Sequence, residues 1–282
     1  MADWERAGEA LHKRPDKVQM HFHFDYSARQ ILWTLTFAAQ LVLLVVLLGR
    51  DRARRYPWFT AGIVLFALQL MAEALLSGRM AMIPLQEILL TLADVGAIVA
   101  LLVVVEVARN AFAGLQRSLW IVNTLGLLVV AGFVLAFWGT WPSGKDLALD
   151  STLGRLHLMQ LAALKCSMLV NLLTVELGLL VVLFGRRFKA GWRSHTQMIS
   201  IGLSTGAITW MAMQGVVQSI VSSAHPQSRE EYERVLGLIG KLLNANKAMY
   251  VAVLVWWIVW LWLDEPGAAA AEATSTAAEE ER

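Results

Sequence analysis

Seven long apolar runs are the feature that most limits how this 282-residue chain can fold. A helix rises 1.5 Å per residue, so about 20 apolar residues cross the roughly 30 Å hydrocarbon core of a bilayer. Each run meets or approaches that length. The runs occupy residues 31–49, 58–77, 83–108, 119–140, 157–185, 198–221 and about 244–263. The pattern predicts an all-α fold, a polytopic transmembrane bundle of seven helices over residues 31–263.

The overall composition agrees with a membrane location. Hydrophobic residues make up 57% of the chain and charged residues 16%, and the mean hydropathy is +0.55; an ordinary soluble domain is about a quarter charged. The net charge of +2 is too small to suggest a nucleic-acid partner. The single cysteine, Cys166, has no second cysteine for a disulfide or a metal site. We therefore interpret the chain as an integral membrane protein in contact with the lipid bilayer.

The segments outside the apolar runs are short. Residues 1–30 form the predicted N-terminal extramembrane segment, which carries acidic residues and no early apolar core and is therefore not a signal peptide. Residues 228–243, SREEYERVLGLIGKLL, have helical apolar spacing and are predicted to extend the last helix outward. The final stretch, PGAAAAEATSTAAEEER, predicts a disordered acidic C-terminal tail over residues 264–282. No loop is long enough to hold a soluble catalytic domain.

The distribution of basic residues predicts the orientation, because Lys and Arg near span ends are retained in the cytoplasm. The first, third and fifth loops carry four, two and four basic residues, in RDRARR, in Arg109 with Arg117, and in RRFKAGWR. The second, fourth and sixth loops carry six over a greater length. We therefore predict a multi-pass protein of the cell membrane with its N-terminus outside and its C-terminus cytoplasmic. The arginine-rich loops are expected to contact a membrane or cytoplasmic protein partner.

Polar side chains from several runs fall in the outer half of the predicted bundle. At 1.5 Å per residue, Glu87, Lys165 and Asp94 lie about 6, 12 and 17 Å below the outer edge. The full set of candidate ligand-binding residues is Glu73, Glu87, Asp94, Gln160, Lys165, Gln214, Gln218 and Lys247. Such a layer either binds a small ligand or ion, or holds the helices together by interhelical hydrogen bonds. We expect Asp94 and Lys165 to be coupled, since each charge offsets part of the other's burial cost.

Lys247 stands at the head of the last run, in NANKAMYVAVLVWWIVWLWL. It lies about one turn below the outer surface, so its stem can extend to place the amine in water. The alternative is a retinal Schiff base, because microbial rhodopsins carry their attaching lysine on a seventh helix. The third run, LLTLADVGAIVALLVVVEVAR, has no counterpart to the rhodopsin third-helix pattern. We therefore predict no cofactor.

Two acidic residues lie toward the opposite face of the membrane. Glu106 lies close to Arg109 in the sequence, and Glu176 precedes Arg186 and Arg187. We interpret both as members of interfacial ion pairs and not as proton-relay groups.

Two short patterns have more than one interpretation. In MHFHFDY, His21 and His23 can supply two metal ligands, but alternating His and Phe also suits an interfacial segment, and we predict no metal site. GLSTG, from Gly202 to Gly206, is a G-x-x-x-G pattern that lets another helix approach closely. We predict that it serves packing within the chain. The tryptophans cluster mostly near predicted span ends and are interpreted as interfacial anchors.

The arrangement of RDRARRYPWF before the second run, with a tryptophan-rich final helix, resembles uncharacterised seven-helix integral membrane proteins of acidobacterial type. The resemblance covers the layout of most of the chain and implies no known activity. No nucleophile with its base and no phosphate-binding glycine loop occurs, so we predict that the chain is not an enzyme. A sensor or receptor-like module is the first hypothesis. A structural or assembly subunit of a membrane complex is the alternative, and a transporter or channel is the second alternative, since no internal repeat is evident.

Overall fold

The computed structural model describes residues 27–77, 79–112, 117–137, 152–184, 194–224 and 228–264. These residues form eight α-helices and no strand, which confirms the all-α prediction. The helices are α1 (Ala28–Gly49), α2 (Arg52–Arg55), α3 (Pro57–Leu76), α4 (Met82–Ala111), α5 (Arg117–Phe137), α6 (Thr152–Phe184), α7 (His195–Ser223) and α8 (Arg229–Trp262). The predicted N-terminal segment up to residue 26, the tail from residue 265, and Arg186 and Arg187 lie outside the described residues.

Five of these helices are long and apolar enough to cross a membrane: α1, α3, α4, α8, and α6 over Gly154–Phe184. A shorter apolar segment, Gly126–Phe137, belongs to α5. The chain is therefore a multi-pass membrane protein. The 29-residue α7 contains many serine, threonine and glutamine residues, which lower its hydropathy. The count of seven spans and the orientation of the termini stay predictions.

Local sequence signals explain where several helices begin. Ser27 and Gln30 form a reciprocal capping box at the start of α1. Asp51, with a φ of 55°, turns the chain between α1 and α2, and Pro57 occupies the first position of α3, where a missing amide does little harm. Ser228 accepts the Glu231 amide at the start of α8. The 34-residue α8 is continuous and about 51 Å long, so the predicted helical extension over residues 228–243 is confirmed.

Contacts between the helices close a ring in the order α1, α3, α4, α6, α7, α8 and back to α1. Helix α4 also touches α7 across the ring, and α5 packs on α6. The fully buried side chains inside this ring include Leu43, Leu47, Phe59, Leu177, Ile199 and Leu254. The candidate site lies where five helices of this ring meet: α3, α4, α6, α7 and α8.

The two ends of the bundle are distinguished by their charges. We call the end at which α1 ends and α3 begins the arginine end, defined by Arg50, Arg52, Arg54 and Arg55. At the opposite, distal end, Arg29 near the start of α1 forms a 3.2 Å ion pair with Glu73 near the end of α3.

Candidate functional site: a cavity inside the helical ring

A cavity of about 450 Å³ lies between α3, α4, α6, α7 and α8. This volume is within the range of small-molecule sites. Most of the lining is apolar. The polar lining residues are Gln69, Ser167, Asn171, Thr174, Thr209, Asn246 and Tyr250. No charged side chain occurs among the described residues that line the cavity.

The cavity is elongated and differs in polarity along its length. On α8 its lining extends from Asn246 to Trp257, eleven residues or about 16 Å. Gln69 lies about 18 Å along α3 from the arginine end, whereas Phe59 lies within the first turn of that helix. The arginine end of the cavity is therefore rich in aromatic rings, and the amides of Gln69 and Asn246 lie in its distal part.

Trp257 and Phe59 form the floor of the cavity at the arginine end. Their rings make a T-shaped contact with centroids 5.0 Å apart, and Trp257 is 3% exposed. The edge of the Trp257 indole that carries Nε1 packs against Gly202: a Cβ added at Gly202 would meet Nε1 first and would be 2.7 Å from Cε2. The indole Nε1–H is buried and finds no acceptor among the described residues. A buried donor without an acceptor costs about 1–3 kcal/mol.

A second polar contact supports the cavity wall from outside the lining. Gln40 of α1, 1% exposed, donates its Nε2–H to the Tyr250 hydroxyl at 3.3 Å. The Gln40 Oε1 is buried without a hydrogen-bond partner in the described part of the chain. Helix α1 does not line the cavity itself, but this contact connects it to α8 at the level of the cavity.

Glu106 of α4 caps the start of α3 directly beneath the cavity. Its Oε1 accepts the Trp58 amide at 3.0 Å, and its Oε2 accepts the Phe59 amide at 2.9 Å. The first amides of a helix have no intrahelical acceptor, and a carboxylate there also interacts well with the helix dipole. The predicted Glu106–Arg109 ion pair does not occur among the described ion pairs, because the carboxylate is buried against the α3 amides.

Other hydrogen bonds connect the helix ends at the arginine end. The hydroxyls of Tyr56 and Thr196 lie 2.8 Å apart in a buried contact, which joins the start of α3 to α7. Nε2 of His195 lies 2.9 Å from the Leu263 carbonyl. Asp264 accepts hydrogen bonds from Arg50 at 3.4 Å and Arg52 at 3.5 Å. The ends of α1, α3, α7 and α8 are thus connected through polar side chains just below the cavity floor.

None of the eight candidate residues predicted from the sequence lines the cavity. Asp94 lies on the outer face of α4, on one helical stripe with Ile98, Leu101 and Val105, which are 62%, 37% and 41% exposed. Lys165 is about 200° around α6 from the lining residue Ser167. Among the described ion pairs, none joins Asp94 to Lys165. Their electrostatic coupling stays a prediction without a direct contact to support it.

The other six predicted residues also lie outside the lining. Glu73 is held by Arg29 at the distal surface. Gln160 and Gln218 are exposed, and Glu87, Gln214 and Lys247 are half-buried. Lys247 follows the lining residue Asn246 but does not line the cavity, so the geometry offers no support for the Schiff-base alternative. Their role in ligand binding stays a prediction.

Some features of the cavity were partly visible in the sequence. Gly202 does permit a close approach, since it lies against Trp257, which confirms the packing role predicted for this half of GLSTG. A Cβ at Gly206 would meet nothing within 4 Å, because this glycine lines the cavity. Trp257 belongs to a run of tryptophans that suggested an interfacial anchor, and only its packing shows that it is interior. Uncharged amides inside apolar runs were the available signal for Gln69, Asn171 and Asn246.

Acidic and metal-binding groups add no second site within the described residues. Glu176 has a buried Oε2 without a hydrogen-bond partner there, and its predicted partners Arg186 and Arg187 lie outside the described residues. No cluster of three His, Cys, Asp or Glu side chains suited to a metal ion occurs in the part of the chain that is described.

The fold and the cavity together define a multi-pass, all-α membrane protein with a largely apolar cavity lined from five helices. Comparison with protein-family models, curated proteins and solved structures finds no match to this chain.

Proposed function

We propose that this protein is a seven-helix, receptor-like sensor of the membrane that binds a small neutral molecule in its central cavity. The observation that supports the proposal is the cavity itself, about 450 Å³ in volume and lined from five helices. A tightly packed bundle with a purely structural role would fill this space with side chains, since protein interiors are close-packed.

The lining favours a neutral ligand. A charged group in a low-dielectric site needs an opposite charge or many hydrogen bonds, and isolated charges in hydrocarbon cost at least about 2.5 kcal/mol. The described lining offers amides, hydroxyls and indoles but no charged side chain. An uncharged molecule with an apolar body therefore fits the site better than an ion or a zwitterion.

The position of the cavity floor supports a sensing role. Phe59 lines the cavity, and its backbone amide is bound by Glu106. Tyr56, three residues earlier, contacts Thr196 of α7. A ligand that displaces Phe59 or Trp257 would therefore disturb the helix ends next to the arginine-rich turn. We propose that this turn faces the cytoplasm and contacts the signalling partner.

Two other sequence predictions form part of the same proposal. We propose that the protein is not an enzyme, and that it is related to the acidobacterial seven-helix proteins that it resembles.

An assembly subunit is the second candidate function, and the position of Asp94 favours it. A carboxyl group on the lipid-facing stripe of α4 costs about 2.5–3.5 kcal/mol near the membrane centre, and a polar side chain on a partner helix would lower that cost. This function predicts that Asp94→Leu separates the protein from a partner with which it otherwise migrates in mild detergent. Unchanged migration of the variant would count against it.

The sensor proposal is tested by binding of a neutral amphiphile to the purified protein in detergent. The probe is 2-dodecanone, and the variants are Gly206→Phe, which fills the cavity, and Gly132→Phe, a matched control on the exposed face of α5. Binding stabilises the folded state in proportion to ligand occupancy. We expect the ketone to raise the melting temperature of the wild type and of Gly132→Phe but not of Gly206→Phe. Equal shifts in all three proteins would contradict a cavity site.

Transmission to the arginine end is tested with a fluorophore. Cys166 is replaced by serine, and a single cysteine replaces Arg54, whose side chain is 87% exposed. A dye at this position should change its emission when the ketone binds or when Gly206→Phe fills the cavity. An unchanged emission in both cases would mean that the protein binds the ketone but does not transmit binding to the arginine end, which would contradict the sensing role.

A further inference from the structure

We propose that the arginine end of the bundle carries a binding site for the phosphate group of an anionic phospholipid, formed by Arg50, Arg52 and Trp262. Arg50 directly follows α1, Arg52 begins α2, and Trp262 is the last residue of α8. Helices α1 and α8 pack against each other, which brings these residues together. None of them lines the cavity, so the inference is independent of the proposed sensing function.

The guanidinium groups of Arg50 and Arg52 converge on a single oxygen atom. Nη1 of Arg50 lies 3.4 Å from Oδ1 of Asp264, and Nη2 of Arg52 lies 3.5 Å from the same oxygen. Charge-assisted hydrogen bonds of this kind are about 2.7–2.9 Å long, so the shared carboxylate oxygen binds neither arginine closely. A phosphate group offers each guanidinium an oxygen of its own. Oδ1 of Asp264 therefore marks the position that a phosphate would take.

The two arginines are held more firmly than the aspartate between them. The side chains of Arg50 and Arg52 are 36% and 18% exposed, whereas that of Asp264 is 68% exposed. Ion pairs of exposed side chains contribute little to stability, so displacing Asp264 costs little. The arginines are the fixed part of the site, and the aspartate is the part that a lipid displaces.

The charge at this end favours an anionic lipid over a zwitterionic one. Residues 50–55 together with Asp264 contain four arginines and two aspartates, a formal net charge of +2. The second aspartate, Asp51, pairs with Arg54 at 3.4 Å. Arginines near the membrane surface attract anionic headgroups. The same arginines repel the quaternary ammonium group of phosphatidylcholine.

The surface beside the arginines is suited to acyl chains, which distinguishes a phospholipid from a free phosphate ion. Exposed apolar side chains follow one another at steps of four and three residues along the outer face of each helix up to the site. They are Leu41, Val45 and Leu48 of α1 and Val255, Val259 and Trp262 of α8.

Trp262 connects this apolar surface to the phosphate position. The Arg50 guanidinium lies 4.9 Å from the centroid of the Trp262 ring. Tryptophan rings favour the headgroup level of a bilayer, and an arginine stem can lie along apolar surface while its charged end meets the headgroups. A phospholipid bound here would place its phosphate at the arginines and its chains along α1 and α8.

The test is thermal unfolding of the purified full chain in detergent micelles with increasing mole fractions of dioleoylphosphatidylglycerol. The dependence of the melting temperature on lipid gives an apparent Kd. The comparison probes are dioleoylphosphatidylcholine and inorganic phosphate. We expect phosphatidylglycerol to raise the melting temperature more than either probe does. An equal effect of phosphatidylcholine would overturn the anionic selectivity, and an equal effect of inorganic phosphate would overturn a lipid as the ligand.

Arginine variants test the position of the site. Arg50→Gln and Arg52→Gln should each raise the apparent Kd roughly fivefold, the contribution of one arginine near the membrane surface. Arg79→Gln is the matched control, because Arg79 is exposed at the distal end, and it should leave the Kd unchanged. Equal losses in all three variants would overturn the assignment. Gly206→Phe should keep the wild-type response, since a lost response would place the lipid in the cavity and overturn the site.

Two aspartate variants decide the question even if the arginine variants do not fold. Asp264→Asn removes the charge that competes with the phosphate, so it should lower the apparent Kd roughly two- to fivefold. Asp51→Asn removes the same charge from the same end, but Asp51 pairs with Arg54, so the Kd should stay close to the wild-type value. Asparagine also tolerates the φ of 55° at this position. Equal tightening in both variants, or an unchanged Kd for Asp264→Asn, would overturn the proposed site.

Discussion

Replacing Glu106 with glutamine should destabilise the protein, because each of its carboxylate oxygens accepts one amide at the start of α3. Glutamine has a single acceptor oxygen, so one of the two amides loses its partner and the negative charge at the helix N-terminus disappears. A lost hydrogen bond to a charged group costs about 1.5–3 kcal/mol, and the helix-dipole interaction contributes about 0.3–1 kcal/mol more. We expect a total loss of about 2–4 kcal/mol.

The same chemical change at Glu176 provides the matched control. Its Oε2 is buried and has no hydrogen-bond partner among the described residues. Replacing it with glutamine removes a charge that no described contact offsets, so stability should stay the same or rise.

The assay is thermal unfolding of the purified variants in one detergent. A loss of 1 kcal/mol lowers the melting temperature of a chain of this size class by roughly 2–4 °C. Glu106→Gln should therefore melt roughly 4–16 °C below the wild type, and Glu176→Gln at or above it. Equal losses for the two variants would show that charge removal alone is responsible, and would refute a capping role for Glu106.

Three further predictions follow from the packing and the sequence. Gly202→Ala should cost about 1–3 kcal/mol in a denaturation experiment, because its methyl group displaces the Trp257 indole; a neutral result would mean that the two do not touch. If Asp94 and Lys165 are coupled as predicted, Asp94→Asn or Lys165→Met alone should lower the melting temperature by more than the double replacement does; strictly additive losses would show that the two residues do not meet. A reporter fused after Gly49 should score cytoplasmic, and an external score would reverse the predicted orientation.

The sequence predicts where the helices lie better than it predicts which side of each helix faces the interior. Each apolar run coincides with a helix, and the starts at Ser27, Pro57 and Ser228 follow from local capping and proline chemistry. These features depend on neighbouring residues and on the length of chain that a bilayer requires. They can be recognised without knowledge of the tertiary structure.

The candidate site shows what neighbouring residues in the sequence cannot predict, which is the direction in which a side chain points. Depth along a helix follows from counting residues. The direction of each side chain depends on which neighbour a helix packs against. Asp94 and Lys165 were expected to face the interior because charges avoid lipid, yet Asp94 lies on the outer stripe of α4.

The sequence by itself determined that the chain is helical, that it is a membrane protein, and where most helices begin and end, because these properties arise from local hydropathy and backbone chemistry. Only the tertiary structure decided which residues surround the cavity. Trp257, Gly202, Phe59 and Glu106 come from four different helices and are far apart in the sequence. Their juxtaposition results from the order in which the helices close into a ring, and no local pattern in the sequence encodes that order.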